Sequence, residues 1–356
     1  EADLKYYERE GAFNIYTGYR QHNYHFVIYG AMFLGQFEPA LAAVRGMADT
    51  TPEDMLRMPS PPMADYFESY LSMEPHLLVR FGKWHEAIAL SLPDDQELFC
   101  TLTAFTHYAR GVAHAALGHV AEAEVEEKLF LAAKARVPDS RVLHNNKVIH
   151  LMEIATHMLR GEIAYRKEEY DRAFEQLREA ITIEDNLPYD EPWGWMQPTR
   201  HALGALLLEQ GRVEEAAGVY RADLGLDDML VRSSQHPGNV WALHGYAECL
   251  DKLGRPEEAA VVEGVGPGVV GALEGLLDVP RALQVVEELR PAVAAHVVEA
   301  VQPAIVGPGQ EDRFAGDVAN DVLTRLPHLG AAPDADPVVP PDPLAFLLPG
   351  LCRGVV

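Results

Sequence analysis

Basic residues are scarce in this 356-residue chain: 29 Lys and Arg stand against 54 Asp and Glu, a formal net charge of −25. Such a field repels phosphate backbones and anionic headgroups, so neither nucleic acid nor a membrane surface is an expected partner. It also keeps helical surfaces from adhering to one another. Cysteine is scarcer still. Cys100, Cys249 and Cys352 are odd in number, far apart and form no C-x-x-C, which argues against a disulfide framework or a zinc finger and fits a reducing, cytoplasmic setting. A membrane span needs about eighteen uninterrupted apolar residues. The most apolar stretch, 261–280, is broken by Glu263, Glu274, Asp278 and several glycines.

Catalytic signatures are missing as well. There is no G-x-S-x-G, no G-x-x-x-x-G-K and no G-x-G-x-x-G after a strand, and His85-Glu86 lacks the second histidine of H-E-x-x-H. An enzyme would have to assemble its site across distant segments, with histidine as base or metal ligand. No residue can be singled out as catalytic on these grounds. The opening Glu1-Ala2-Asp3-Leu4 has neither an initiator methionine nor the regions of a signal peptide, and reads as the interior of a longer product.

What the chain does have is an internal repeat. A glycine is followed five residues later by an alanine at Gly35/Ala40, Gly82/Ala87, Gly118/Ala123, Gly211/Ala216 and Gly254/Ala259; a sixth copy keeps Ala173 and carries Glu168 in place of glycine. Runs with helical apolar spacing flank each copy, so each is read as the turn of an αα-hairpin. Glycine supplies the left-handed stop for the first helix, and alanine lets the two backbones approach. Gly111, Gly161, Gly204 and Ala247, seven residues before their turns, repeat that logic within the first helix.

This pattern of a small residue, glycine, alanine and proline resembles the tetratricopeptide-repeat family, whose unit is about 34 residues. Pro52, Tyr220 and Trp241 stand where that resemblance expects them, and it covers about 14–260. The stretches HNYHFVIYGAMFLGQFEPAL, EPHLLVRFGKW and LPYDEPWGWMQPTRHALGALLLEQGR are also similar to a group of uncharacterised bacterial repeat proteins, and the surroundings of His22-Asn23-Tyr24 are loosely similar to tetratricopeptide repeat protein 38. In the bacterial group further repeats precede this region. The fold implied is an all-α solenoid of about six helical hairpins over 1–260, followed by an irregular, Pro/Gly/Val-rich tail over 261–356. Turn-to-turn spacings of 47, 36, 50, 43 and 43 residues exceed the ideal unit. The extra residues fall at 58–63, 137–146, 187–198 and 225–238; insertions of this kind emerge at one edge and often cover the groove, although lengthened helices would account for them too.

The tail departs from this composition. Its 96 residues contain no Lys, Tyr, Trp or Met, two aromatics (Phe314 and Phe346) and a dozen prolines, and no repeat signature survives. It fits either a low-complexity extension or an out-of-frame translation. Helices are predicted at 276–290 and 313–326, and an extended or disordered stretch at 333–349.

The resemblance implies a concave groove lined by the first helix of each hairpin. Its candidate binding residues are His22, His25, Tyr29, His76, Tyr108, Glu162, His201, Trp241, His244 and Glu248, with Trp193 and Trp195 as further aromatic anchors. A protein or peptide is the partner implied. The carboxylate clamp that some such repeats use for chaperone peptides needs Lys, Arg and Asn at these positions and is not expected. Five histidines, His22, His25, His76, His201 and His244, are the alternative: neutral imidazole binds zinc, copper or iron, and His22 and His25 lie one helical turn apart. His107, His114 and His157 fall where helix packs on helix and are expected to be hydrogen-bonded structural residues.

Overall fold

A computed structural model describes residues 2–11, 14 and 16–264. The expectations for the tail from 265 onward lie outside the described residues. All described residues belong to one compact unit.

After α1 (Ala2–Glu10), six hairpins follow in chain order among the described residues. The first is α2 (Thr17–Phe33) with α3 (Phe37–Asp49). Short helices α4 (Glu53–Leu56) and α5 (Met63–Phe67) and the 3-10 turn Glu68–Ser72 lead to the second, α6 (Met73–Arg80) with α7 (Trp84–Ala89). The third is α8 (Cys100–Ala116) with α9 (Val120–Lys134). A two-stranded antiparallel hairpin, β1 (Val142–Leu143) and β2 (Asn146–Lys147), precedes the fourth, α10 (Val148–Arg166) with α11 (Tyr170–Glu184). The fifth is α12 (Thr199–Glu209) with α13 (Val213–Leu224), and the sixth pairs α14 (Val240–Lys252) with the helix through 256–264.

Every turn has the geometry its sequence predicts. Gly35, Gly82, Gly118, Gly211 and Gly254 have φ between +61° and +81°. At each turn the next residue's N–H donates to a carbonyl five residues back, as in Lys83 N to Leu78 O at 2.9 Å. That bond satisfies a helix-end carbonyl which would otherwise be orphaned. The fourth turn makes the same bond, from Glu169 N to Ala164 O, although Glu168 stands in the glycine's place at φ +63°. A side chain in this region costs roughly 1–2 kcal/mol, so the geometry is imposed by the packing around it. The alanines that follow are buried, Ala40, Ala87, Ala123, Ala173 and Ala216 completely. At Gly204 a Cβ would lie 2.6 Å from the Tyr220 ring, which explains the small residue in the fifth hairpin.

The insertions are connectors, and two of them, 137–146 and 187–198, turn inward. Ser69 Oγ donates to Val142 O at 2.6 Å, tying the 3-10 turn to the β-hairpin. The Asp190 carboxylate accepts from Asn145 N at 3.1 Å and Asn146 Nδ2 at 3.0 Å, tying that hairpin to the segment 187–198. From Asp190 the segment runs beneath the inner wall, where Trp195 and Met196 are fully buried. The array also closes on itself. The Phe81 ring lies against both Phe37 and Trp241, at 5.2 and 5.6 Å between centroids, so the first, second and sixth hairpins meet. The sequence implies a concave groove that insertions often cover; here the inserted segment 187–198 places Trp195 and Met196 in its centre.

Candidate functional site

In the second, third and fourth hairpins the candidate groove residues His76, Tyr108 and Glu162 are all buried. His76 illustrates why. Its ring stands edge-on to Trp195, 5.1 Å between centroids at 88°, and lies 4.6 Å from Phe105. Tyr108, completely buried, donates to Gln197 Oε1 at 3.1 Å, and Gln197 Nε2 donates to the His76 carbonyl at 2.6 Å. Burial pushes the His76 imidazole down to about 3 and raises the Tyr108 phenol far above its ordinary value. Glu162 is buried too and takes a hydrogen bond from Arg166 Nε at 2.7 Å; burial raises its carboxyl despite that guanidinium. These three residues, expected to meet a ligand, meet their own chain.

His201 sits in a second cluster. Arg80 Nη2 donates to His201 Nδ1 at 2.7 Å, which leaves the proton on Nε2, and Nε2 donates to Asp223 Oδ2 at 2.7 Å. The other oxygen, Asp223 Oδ1, accepts from His236 Nδ1 at 2.7 Å, while Asn239 Nδ2 reaches Oδ2 at 3.0 Å. Burial lowers His201 to about 4 and Arg80 to about 9, so the imidazole is neutral and the guanidinium charged near neutral pH. Burial alone would raise the Asp223 carboxyl, but the facing His201 and His236 hold it well below the usual carboxylate range. The Arg80 guanidinium lies 4.1 Å from the centre of the Trp241 ring, a cation–π contact. This chain of contacts runs from α6 through α12, α13 and the insertion 225–238 to α14. It fastens the closed array.

A third cluster lies at the first hairpin. His25, fully buried, places Nδ1 3.1 Å from His144 Nε2 and Nε2 3.1 Å from the Met196 sulfur. The Tyr70 hydroxyl is 3.2 Å from the same His144 nitrogen. His22 is half-exposed, with its ring 5.0 Å from that of His144. Burial, with His144 and His22 nearby, lowers His25 well below its ordinary value; burial also lowers His144, to about 4.

The remaining candidates divide by position. Tyr29 is half-buried between Phe33 and Trp193, at 4.4 and 5.3 Å. In the sixth hairpin His244 is exposed, and Trp241 and Glu248 are half-buried. The five histidines considered as metal ligands are therefore scattered: His22 and His25 share one cluster, whereas His76, His201 and His244 lie elsewhere. Among the described residues no three His, Cys, Asp or Glu side chains come together as a metal-binding group. Of the histidines expected to be structural, His107 pairs with Glu126 at 2.6 Å and His157 with Gln176 at 3.1 Å, whereas the buried Nδ1 of His114 has no hydrogen-bond partner among the described residues. Arg80, His144, Asp223 and His236 escaped sequence reasoning. Only His144 carried a signal, in a short run of strand-forming residues broken by His144-Asn145.

Six stacked αα-hairpins with glycine-closed turns define a helical-repeat protein. The tetratricopeptide repeat family matches residues 104–126, 197–222 and 240–262, in the third, fifth and sixth hairpins, so the chain carries tetratricopeptide repeats there. No curated protein and no solved structure matches the chain significantly. Among the described residues no helix is long and apolar enough to cross a membrane.

Proposed function

We propose that this protein is an interaction scaffold that takes a protein partner on the exposed face of its last hairpin, the sixth, and on the insertion leading to it, rather than along the full groove. Repeats of this family serve protein interaction in general, and the choice of surface follows from exposure. The central wall is dry. On α14 the candidate groove residue His244 is exposed, and so is Asp251. The adjoining insertion presents Leu226 at 56%, Met229 at 78% and Val231 at 69% exposure. Large apolar side chains held out to solvent on a fastened loop are the feature that carries this reading. The loop's base is fixed by Asp223, through His236 and Asn239, so its tip is presented without a large ordering cost.

Affinity recovery of partners with the full chain tests it. The double substitution Met229→Ser, Val231→Ser is expected to lose the partners recovered with the wild-type chain while leaving the helical circular dichroism unchanged. An unchanged partner set would overturn the choice of surface. A protein partner lost on Tyr108→Phe instead would return the binding site to the central groove.

A further inference from the structure

Independently of partner binding, the geometry points to a transition-metal site formed by His25, Tyr70 and His144, with His22 beside it. The argument begins with the proton on His25. Its Nε2 faces the Met196 sulfur at 3.1 Å, and a thioether can only accept, so the proton belongs on Nε2 and Nδ1 presents a bare lone pair. His144 Nε2 lies 3.1 Å from that nitrogen, and the Tyr70 oxygen lies 3.2 Å from His144 Nε2. Hydrogen bonding alone serves this trio poorly. If His144 Nε2 carries a proton and donates it to His25 Nδ1, Nε2 cannot accept from the Tyr70 hydroxyl 3.2 Å away; if it carries none, two nitrogen lone pairs face each other.

One cation beside the His25–His144 contact would take both nitrogens, with the Tyr70 oxygen, 3.2 Å from His144 Nε2, as the third donor. Two nitrogens each about 2.0–2.1 Å from one ion lie roughly 3 Å apart, so the observed spacing requires little rearrangement. The third donor is the Tyr70 phenol. A hydrogen bond from the far nitrogen of a ligating imidazole is the usual outer-shell arrangement, and His25 has it. His144 supplies a separate observation. It has φ +50° at the first position of a two-residue β-hairpin turn, where glycine is favoured. A histidine held in that conformation on an inserted hairpin indicates that its imidazole is wanted at this place. Imidazole and phenol donors suit a divalent first-row ion, and copper binds such a set most tightly.

The test is elemental analysis of the full chain purified without a metal-affinity tag, followed by titration with Cu2+ alone. The expected result is one tightly bound equivalent and a visible phenolate-to-copper charge-transfer band. Tyr70→Phe should remove the band. His144→Asn, which tolerates a positive φ, should keep the fold by circular dichroism and weaken binding by about tenfold or more, the scale on which even outer-shell changes act. Fewer than one tightly bound equivalent, or copper retained unchanged in His144→Asn, would overturn the assignment. So would loss of the copper on His244→Ala, which would place it on an exposed surface histidine.

Discussion

The indole N–H of Trp241 donates to the backbone carbonyl of Met32 at 2.7 Å, joining two residues 209 positions apart in the chain. Neighbour-to-neighbour stacking is enough to hold a solenoid together; this bond is of another kind, because it ties the last hairpin to the first. Trp241→Phe keeps the ring for Arg80 and Phe81 and deletes the donor. A net loss of about 1 kcal/mol is expected in chemical denaturation, the usual worth of one such bond. No change would mean that the ends of the array are not held together through this residue.

Asp223 is the anionic centre of the fastening network, with His201, His236 and Asn239 all donating to it. Asp223→Asn places an amide against donors and leaves Arg80 without its nearby counter-charge. Breaking a buried charge network from one side costs about 3–5 kcal/mol. The melting temperature should fall sharply, and hydrogen exchange should rise first across 225–239. A variant as stable as the wild type would show that the network is not a fastening.

Glu168 stands where the other five turns have glycine and pays for a left-handed backbone with a side chain that is exposed. Glu168→Gly should stabilise the protein by about 1 kcal/mol, since relief of strain exceeds the added freedom of the unfolded chain. A lower melting temperature would contradict a strained turn.

His76 titrates at its ordinary 6.5 when unfolded, and burial lowers it to about 3 in the fold. As pH falls below 6.5 the unfolded chain takes up this proton first. The stability linked to His76 is therefore intact above 6.5 and is lost progressively until the pH reaches about 3. His76→Gln should make the plot of unfolding free energy against pH shallower by about 1.4 kcal/mol per unit between pH 6 and 4. An identical slope would mean that His76 is solvated.

The hairpins were legible because their turns are local. A positive φ, a buried alanine and helical apolar spacing are all written within a dozen residues, and even the degenerate turn at Glu168 keeps enough of them. The inner wall was legible as a set of positions, and its state was not. Whether His76 and Tyr108 face water depends on Trp195, which arrives on an inserted segment nearly ninety residues after Tyr108 and farther still from His76. The same holds for Asp223 with Arg80 and for His144 with His25: nothing in the spacing of these residues foretells that they meet. Repeat register assigns a residue to a wall, and non-repeating insertions decide what stands against it.

The filled groove can be examined with one residue type. Met196 lies on the inserted segment with 0% of its surface exposed, and Met229 lies on the outer loop with 78% exposed. Limited oxidation with hydrogen peroxide, followed by peptide mass spectrometry of the folded chain, compares the two in one sample. Met196 should stay reduced, as slow to react as the buried core residue Met158, while Met229 is converted to its sulfoxide. Oxidation of Met196 at a rate approaching that of Met229 would contradict the account and leave an open groove in its place.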